Sequence, residues 1–533
     1  MQNNSLLFFT YHAEYIIYIH NIWHGDFTLI PMEQKIFGER HPMRQVKNPQ
    51  LKLGELPIAD IKIDLKSRDE IPPLLLGLQY IYTNLELRSQ VFSILEEVIP
   101  RGANRNNGRP GMEQWKILVL GVVRLNLNCD YDHIHELANN HKTIRQMLGH
   151  ATFADEYQYN LQTLKDNVSL LSPDILDRIN ELVVNAGHRL VKKKGDETLK
   201  GRCDSFVVET NVHYPTDINL LFDAIRKVIT LVATLCTLCS LTEWRQSAHN
   251  LKTIKQLFRK TQKLKRSTSE DPEKQKKREK IIVAAHLEYI DVARGFLEKA
   301  RSTITKVNGG GAMAIALTFV IENYLTHADR QIEQIDRRVV KGEKIPHSEK
   351  VFSIFETHTE WISKGKAGVP VEFGLKVCVL EDQYGFILHH QVMQNETDEQ
   401  VAIPMVKQAQ DKFPGLSTCS FDKGFHSPKN QLELPKLLDL VVLPKKGKLS
   451  QKDKEREHSD VFIKARYQHA AVESAINALE VHGLDRCPDR GLHGFKRYVS
   501  LAVLARNIQQ IGVILRQQQL AKLAHKEKFK QAA

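Results

Sequence analysis

The feature of this sequence that most constrains its fold is a long helical block set inside a β-rich region. A strand-like run contains Phe206, Val207 and Val208, which are aromatic or β-branched. From about residue 231 to residue 345 the pattern is helical throughout, and strand-like runs return only at Val351. A helical block can loop out of a sheet because closing a long connection costs little additional entropy. The sequence therefore predicts an α/β core with a large all-helical insertion.

The region after the block predicts the rest of the sheet. Strand-like runs lie at residues 351–355, 371–382 and 384–393, with a hairpin turn at Gln383-Tyr384-Gly385. A helix is predicted over residues 397–412, followed by two further short strands that flank a helix. The expected order is one strand, the inserted helices, three strands, and then helices and strands in alternation.

The N-terminal half is helical in pattern from about residue 69 to residue 194. One helix begins at Ser172-Pro173-Asp174, a good N-cap followed by proline at the first helical position. A loop at residues 100–111 is rich in Gly, Asn and Arg. Short helices with such a loop favour a helical DNA-binding region. A plain helical bundle with a solvated loop is the alternative.

The charge of the chain favours an anionic partner. The formal net charge is +12 and the pI is about 9.1. Residues 252–280 hold twelve Lys and Arg against four acids, a local excess of +8. This stretch is either a solvated helix face or a basic helix that lies along phosphates. Seven scattered cysteines, with Cys236 and Cys239 in an apolar helix, fit a reducing cytoplasm and core packing better than disulfides or zinc.

Three acids form an ordered set along the predicted core. Asp204 precedes the first strand, Asp422 ends a short strand before Gly424, and Glu473 lies on a helix beside its apolar stripe. Each has an ordinary alternative: a turn-forming aspartate, or a surface ion pair between Glu473 and His469. Together they offer the oxygen ligands that Mg²⁺ or Mn²⁺ prefers. Two such ions can catalyse phosphodiester chemistry, and three carboxylates would offset part of their charge.

Other acids are weaker candidates for the same site. Glu209 is the best rival of Asp204, but the two residues have opposite strand parity, so both do not easily face one pocket. Glu360 and Glu372 are spare acids that could replace Glu473.

These residues carry a family resemblance. The motifs are D-x-x-V-V-E-T-N-V-H-Y-P-T-D from Asp204, F-D-K-G-F-H-S-x-x-N from Phe421, and H-A-A-V-E from His469 followed by H-G-L-D-R-C. With residues 353–377 and 108–141, they resemble the bacterial insertion-sequence DDE transposases of the ISNCY-like group. The resemblance covers roughly residues 85–515, and its motifs are short but specific in combination.

The resemblance implies an α/β ribonuclease H-like catalytic core and a metal site. Asp204, Asp422 and Glu473 match the family's catalytic acids, which would bind two Mg²⁺ or Mn²⁺ ions. The family's Tyr-Arg-Glu-Lys signature on the glutamate helix is altered, because its other three positions hold Arg466, His469 and Glu480. Phosphate contacts then fall to Arg466 and His469. The expected DNA-binding residues are Lys423, Lys445, Lys446, Arg466 and His469, and Lys448 could line the same path.

The implied activity is hydrolysis of DNA at terminal inverted repeats, followed by joining of the 3′ ends to target DNA by transesterification. The implied partners are these DNAs and a second copy of the chain, with no membrane, in the bacterial cytoplasm at the nucleoid. No P-loop pattern suggests a need for ATP. Two alternatives stay open: a catalytically decayed DNA-binding derivative, and a structure-specific nuclease on the same fold.

The expected organisation has five parts. They are a non-native or disordered extension at 1–43, a helical DNA-binding region at 44–200, a catalytic domain at 201–230 and 346–515, a helical insertion at 231–345, and a basic tail at 516–533. One interpretation of the first part is that translation begins at Met32 or Met43, so that the residues before it are not native. The open alternative is that these residues belong to the protein. Its apolar run is interrupted by His12, Glu14 and His20, which argues against a signal peptide or a membrane span.

Overall fold

The computed structural model describes residues 45–99, 111–151, 153, 155–192, 197–307, 311–363 and 370–532. The chain forms two compact units. We call residues 212–357 the helical unit, and residues 45–211 with 358–532 the sheet unit. The predicted extension at 1–43 and most of the Arg-rich loop at 100–111 lie outside the described residues.

The sheet unit begins with helices. They are α1 (Ile71–Thr83), α2 (Leu85–Leu95), α3 (Gln114–Asn126), α4 (Tyr131–Asn140), α5 (Lys142–Met147), α6 (Leu161–Val168) and α7 (Pro173–Val191). The Ser172 hydroxyl accepts from the Ile175 amide at the start of α7, with Pro173 at the first helical position, so the predicted cap is confirmed.

One mixed sheet follows. Its strands are β1 (Leu199–Thr210), β2 (Glu360–Ser363), β3 (Val371–Glu381), β4 (Ile387–Val392), β5 (Leu416–Phe421), β6 (Leu440–Val442) and β7 (Arg486–Cys487). The order is β2-β3-β1-β5-β6, with β4 also on β3 and β7 also on β1. The central strand β1 runs antiparallel to β3 and parallel to β5. The hairpin at residues 383–385 is confirmed, with Gly385 at a φ of 80°.

Helices connect and cover the later strands. They are α12 (Asp398–Lys412), α13 (Pro428–Glu433), α14 (Gln451–Glu457), α15 (Asp460–His469), α16 (Ala471–Leu479) and α17 (Gly491–Ala532). Thr397 and Gln400 form a capping box at the start of α12. The helix predicted around Glu473 is instead two helices, α15 and α16, which meet at Ala470.

The N-terminal helices do not form a separate domain, contrary to the predicted boundary at residue 200. Leu78 of α1, Leu118 of α3 and Val183 of α7 belong to the same hydrophobic core as Val208 of the sheet and Leu504 of α17. A buried ion pair joins Arg124 of α3 to Asp489, with 2.8 Å between the guanidinium nitrogen and the carboxylate oxygen. The periodicity of apolar residues identified the apolar faces of these helices, but it does not indicate which hydrophobic core each face joins.

The helical unit contains α8 (Asp217–Leu238), α9 (Ser247–Gln262), α10 (Pro272–Ile304) and α11 (Gly311–Ile335). Its boundaries are wider than the predicted 231–345, because α8 packs within this unit from its first turns. The strand predicted at residues 351–355 is wrong. That run is irregular backbone with bends, and Ile354 is buried in the helical core instead of a sheet.

The C-terminal tail predicted at 516–533 is the continuation of α17. In length and composition α17 could cross a membrane, but 78% of its apolar window is buried inside the protein. Such burial is typical of the core helix of a soluble protein. The helix crosses α1 closely, since a Cβ added to Gly512 would lie 1.7 Å from the carbonyl oxygen of Pro73.

Candidate active site

Strand register places two of the predicted acids side by side. In the parallel pair β1–β5, Cys203 lies opposite Phe421, so Asp204 and Asp422 are the next residues of neighbouring strands. Asp204 lies in the middle of β1 and not at its start, because β1 begins at Leu199. Asp422 follows the last residue of β5 and caps a short 3₁₀ turn, as its Oδ2 accepts from the Gly424 amide at 3.4 Å. Asp204 and Asp422 are therefore neighbours at the point where β5 ends and β1 continues.

The third acid, Glu473, approaches the same point from a helix. It lies in the first turn of α16, which contacts β1 and buries Val472, Ala475 and Leu479. The Glu473 side chain is exposed. Glu473 and His469 do not form an ion pair, which was the alternative role for Glu473. His469 Nδ1 lies 3.0 Å from the Ser420 hydroxyl instead.

The electrostatics of Asp204 reflect its burial and its acidic neighbours. Burial, followed by the nearby carboxylates of Asp422, Asp398 and Glu473, raises the pKa of Asp204 to about 6, against a hydrogen bond from the Ser205 amide. Within the described part of the chain, Asp204, Asp422 and Glu473 form no ion pair with Lys, Arg or His. The site is thus a set of carboxylates without cationic partners.

This donor set suits a hard divalent cation. Carboxylate oxygens are the ligands that Mg²⁺ prefers, and an ion would remove the repulsion that raises the pKa of Asp204. Among the described residues, however, no group of three or more His, Cys, Asp or Glu side chains is gathered closely enough to hold a metal ion. Binding would therefore have to draw the exposed Glu473 carboxylate toward the two aspartates.

The rival acids have other partners. Glu209 lies on the opposite face of β1 from Asp204, as its parity predicts, and its carboxylate is 2.9 Å from Arg486. Glu360 accepts a hydrogen bond of 2.7 Å from the Asn395 amide. Both carboxylates are thus occupied away from Asp204.

Asp398, in the first turn of α12, was missed by the sequence analysis. Its Oδ1 accepts from the Ser205 hydroxyl at 2.7 Å, and its Oδ2 lies 3.0 Å from Lys376 Nζ. A Cβ added to Gly424 would come within 3.1 Å of Oδ2. Asp398 therefore binds the residue after Asp204 and lies beside the turn after Asp422. The segment 397–399 was interpreted only as a helix start, since nothing in it indicates Lys376 or Ser205 as partners.

We expect Asp398→Asn to weaken the binding of a divalent cation at this site by about 10- to 100-fold, as for groups that orient metal ligands. The reason is that Asp398 is already paired with Lys376 and acts by positioning Ser205. Calorimetric titration with Mn²⁺ measures this, with the neighbouring Glu399→Gln as the control. A loss as complete as that of Asp204→Asn would mean that Asp398 is itself a ligand.

The predicted DNA-binding residues divide into two groups. Lys423 and Arg466 are exposed and, within the described residues, unpaired. Lys445 is held by Asp453 at 2.5 Å, and Lys446 Nζ donates to the Gly424 carbonyl at 2.7 Å. Lys445 is therefore neutralised within the protein, and Lys446 stabilises the turn after Asp422.

His469 is the fifth predicted contact. Burial lowers the pKa of its ring, which favours the neutral form, although Asp422 and Glu473 act in the opposite sense. A neutral ring bonded to Ser420 fixes the end of α15 against β5. It does not offer the positive charge expected of a phosphate contact.

Comparisons of the chain with protein-family models, with curated proteins and with solved structures found no match.

Proposed function

We propose that this chain is a DDE-type transposase of an insertion sequence, with a ribonuclease H-like catalytic core. It would cleave DNA at the terminal inverted repeats of its element and join the 3′ ends to target DNA by transesterification. We place its action in the bacterial cytoplasm, at the nucleoid, as a dimer that holds two ends.

One observation carries the proposal. Asp204 and Asp422, far apart in the chain, are neighbours across the β1–β5 register, and the helix of Glu473 packs on the same strand. The pKa of Asp204 is raised first by burial and then by these carboxylates. Keeping partly buried like charges together without a cation from the protein is unfavourable for stability. A ligand of opposite charge explains the arrangement better than a structural role does.

The residues would act in the following way. Asp204 and Asp422 would bind the cations from the rigid sheet, and Glu473 would complete the site from α16. Divalent cations held there would polarise the phosphodiester and favour deprotonation of the attacking water or 3′-hydroxyl. Lys423 and Arg466, which are exposed near Asp422 and Glu473 in the sequence, would contact the DNA phosphates.

The experiment uses DNA from both borders of the encoding gene. The purified full chain is incubated with labelled duplexes that carry each border, with Mg²⁺, Mn²⁺ or EDTA, and with a supercoiled target plasmid. We expect 3′-end cleavage at the border and covalent joining to the plasmid, both dependent on the metal ion.

The other functions give different results. Cleavage without joined products, on branched DNA of any sequence, would indicate a structure-specific nuclease. Binding of border DNA with no cleavage under any metal condition would indicate a decayed derivative. Absence of both specific binding and cleavage would contradict the proposal as a whole.

A further inference from the structure

The helical unit carries a surface that the proposed chemistry does not explain. From Trp244 to Ser269 the chain contains eight Lys and Arg residues and no Asp or Glu. This segment comprises the three residues before α9, α9 itself and most of the loop after it. An ordinary solvated helix mixes the two signs, because pairs of opposite charge support the helix. Because α9 contains no acid, it has no such pairs within its own length.

The cations of α9 form one stripe. Lys252, Lys255, Arg259 and Lys263 are spaced by three, four and four residues, which places them on one side of the helix. All four side chains are exposed. We call these four residues the basic stripe. With a rise of 1.5 Å per residue, the stripe extends over roughly 16 Å.

The opposite side of α9 is anchored in the core of the helical unit. Ile254 and Thr261 are buried there, and Phe258 stacks on Phe222 of α8 with 4.8 Å between ring centroids. Just before α9, the Trp244 indole donates to the Thr303 hydroxyl at 2.9 Å. The basic stripe is therefore displayed by a fixed helix and not by a mobile segment.

The charges of the basic stripe are not neutralised within the protein. Among the described residues none of its four members has an ion-pair partner, whereas Lys260, off the stripe, is 2.6 Å from Glu288. The loop adds Lys265 and Arg266, both exposed. The surface thus presents a row of unpaired cations at intervals of one helical turn.

We propose that the basic stripe binds the phosphate backbone of duplex DNA without regard to sequence. Each DNA strand carries one phosphate per about 3.4 Å of helix axis, so the stripe could follow several consecutive phosphates. An anionic membrane fits less well, because binding in the lipid interface needs exposed apolar side chains, and those of α9 face inward. The site lies in the helical unit and needs none of the carboxylates of the sheet unit, so it goes beyond the proposed function.

The test is the salt dependence of binding to a 30-bp duplex of arbitrary sequence, in EDTA, with the full chain. Changing all four members of the stripe to Gln should reduce the slope of log K against log [KCl] by about 3 to 4, since each phosphate contact contributes about 0.9. At 100 mM KCl we expect the affinity to fall at least tenfold. Glutamine keeps the helix propensity close to that of lysine and arginine.

The matched control removes the same charge from the same unit. It changes Arg294, Arg301, Lys306 and Lys341 to Gln; these are exposed cations that each pair with an acid. We expect its slope to change by less than about 1. Equal slopes for the two variants would overturn the proposal, because the effect would then reflect net charge alone. An unchanged slope in the stripe variant would overturn it as well.

Two further measurements complete the test of the basic stripe. If the fourfold variant is misfolded by circular dichroism, Lys255→Gln and Arg259→Gln are measured singly, and each should reduce the slope by about 0.9. Vesicles with phosphatidylserine are tested in parallel, and loss of vesicle binding with unchanged DNA binding would contradict the proposal. Since EDTA excludes cleavage, failure of this test and failure of the catalytic proposal are distinguishable.

Discussion

Replacing Asp204 by Asn is expected to abolish metal-dependent cleavage of border DNA, with a loss of at least about 10³-fold. A ligated divalent cation supplies several kcal/mol of transition-state stabilisation, and each 1.4 kcal/mol corresponds to a factor of ten in rate. The substitution keeps the shape of the side chain but removes the charge of the central ligand. Single-turnover cleavage in Mg²⁺ and in Mn²⁺ measures the effect.

The control for this variant lies on the same strand. Glu209→Gln removes a carboxylate from the other face of β1, where it pairs with Arg486. A partly exposed pair contributes less than about 1 kcal/mol to stability, and we expect the cleavage rate to be nearly that of the wild type. Substantial cleavage by Asp204→Asn would remove Asp204 from the proposed site.

Asp204→Asn is also expected to stabilise the metal-free protein at neutral pH. Burial and the neighbouring carboxylates raise the pKa of Asp204 to about 6, so the folded state binds the proton more tightly than the unfolded state does. Stability contributed by this group is therefore lost as the pH rises from about 4 to about 6. Asp204→Asn should restore up to about 3 kcal/mol at pH 7.5 and less than about 1 kcal/mol at pH 4.

Urea unfolding in EDTA at the two pH values measures this difference. A variant that is less stable than the wild type at pH 7.5 would show that Asp204 is a structural carboxylate. Stabilisation together with lost cleavage is the signature of a group whose position serves function at a cost in stability.

Gly512→Ala is expected to destabilise the sheet unit by about 3 kcal/mol or more, at the upper end of what overpacking costs. A Cβ at residue 512 would lie 1.7 Å from the Pro73 carbonyl oxygen, and one at Gly77 would lie 2.1 Å from that of Ile508. These obstacles are backbone atoms, so α1 and α17 would have to move apart. Thermal and urea unfolding, followed by tryptophan fluorescence, measure the loss.

Gly494→Ala on the same helix is the matched control. The nearest atoms to a Cβ there are at 3.6 Å, an ordinary contact. Alanine is the better helix former, so we expect no loss and a gain of up to about 1 kcal/mol. If Gly512→Ala were as stable as Gly494→Ala, the close crossing of α1 and α17 would be wrong.

The sequence indicated three candidate acids but not the strand register that makes two of them neighbours. Asp204 and Asp422 could be selected because each marks a short apolar strand, and that signal is local. The register that places them side by side depends on the pairing of β1 with β5, across the helical unit. The start of β1 was missed for the same reason, as Leu199 and Gly201 gain their partners only from β5.

The side-chain partners around the site are a part of the structure that the sequence does not indicate. Asp398 was predicted only as part of the helix at 397–412, yet its partners Ser205 and Lys376 come from β1 and β3. Lys445 appeared to be a free cation, but it pairs with Asp453 across the turn before α14. A basic residue is a good candidate for DNA contact only when the fold leaves it unpaired.

The central claim is that Asp204, Asp422 and Glu473 bind divalent cations together. Anomalous diffraction from a crystal soaked in Mn²⁺ tests it most directly. We expect one or two manganese peaks within about 2.0–2.4 Å of carboxylate oxygens from both aspartates, with Glu473 turned toward them. A well-diffracting crystal without manganese at these carboxylates, or with the ion bound elsewhere, would contradict the account.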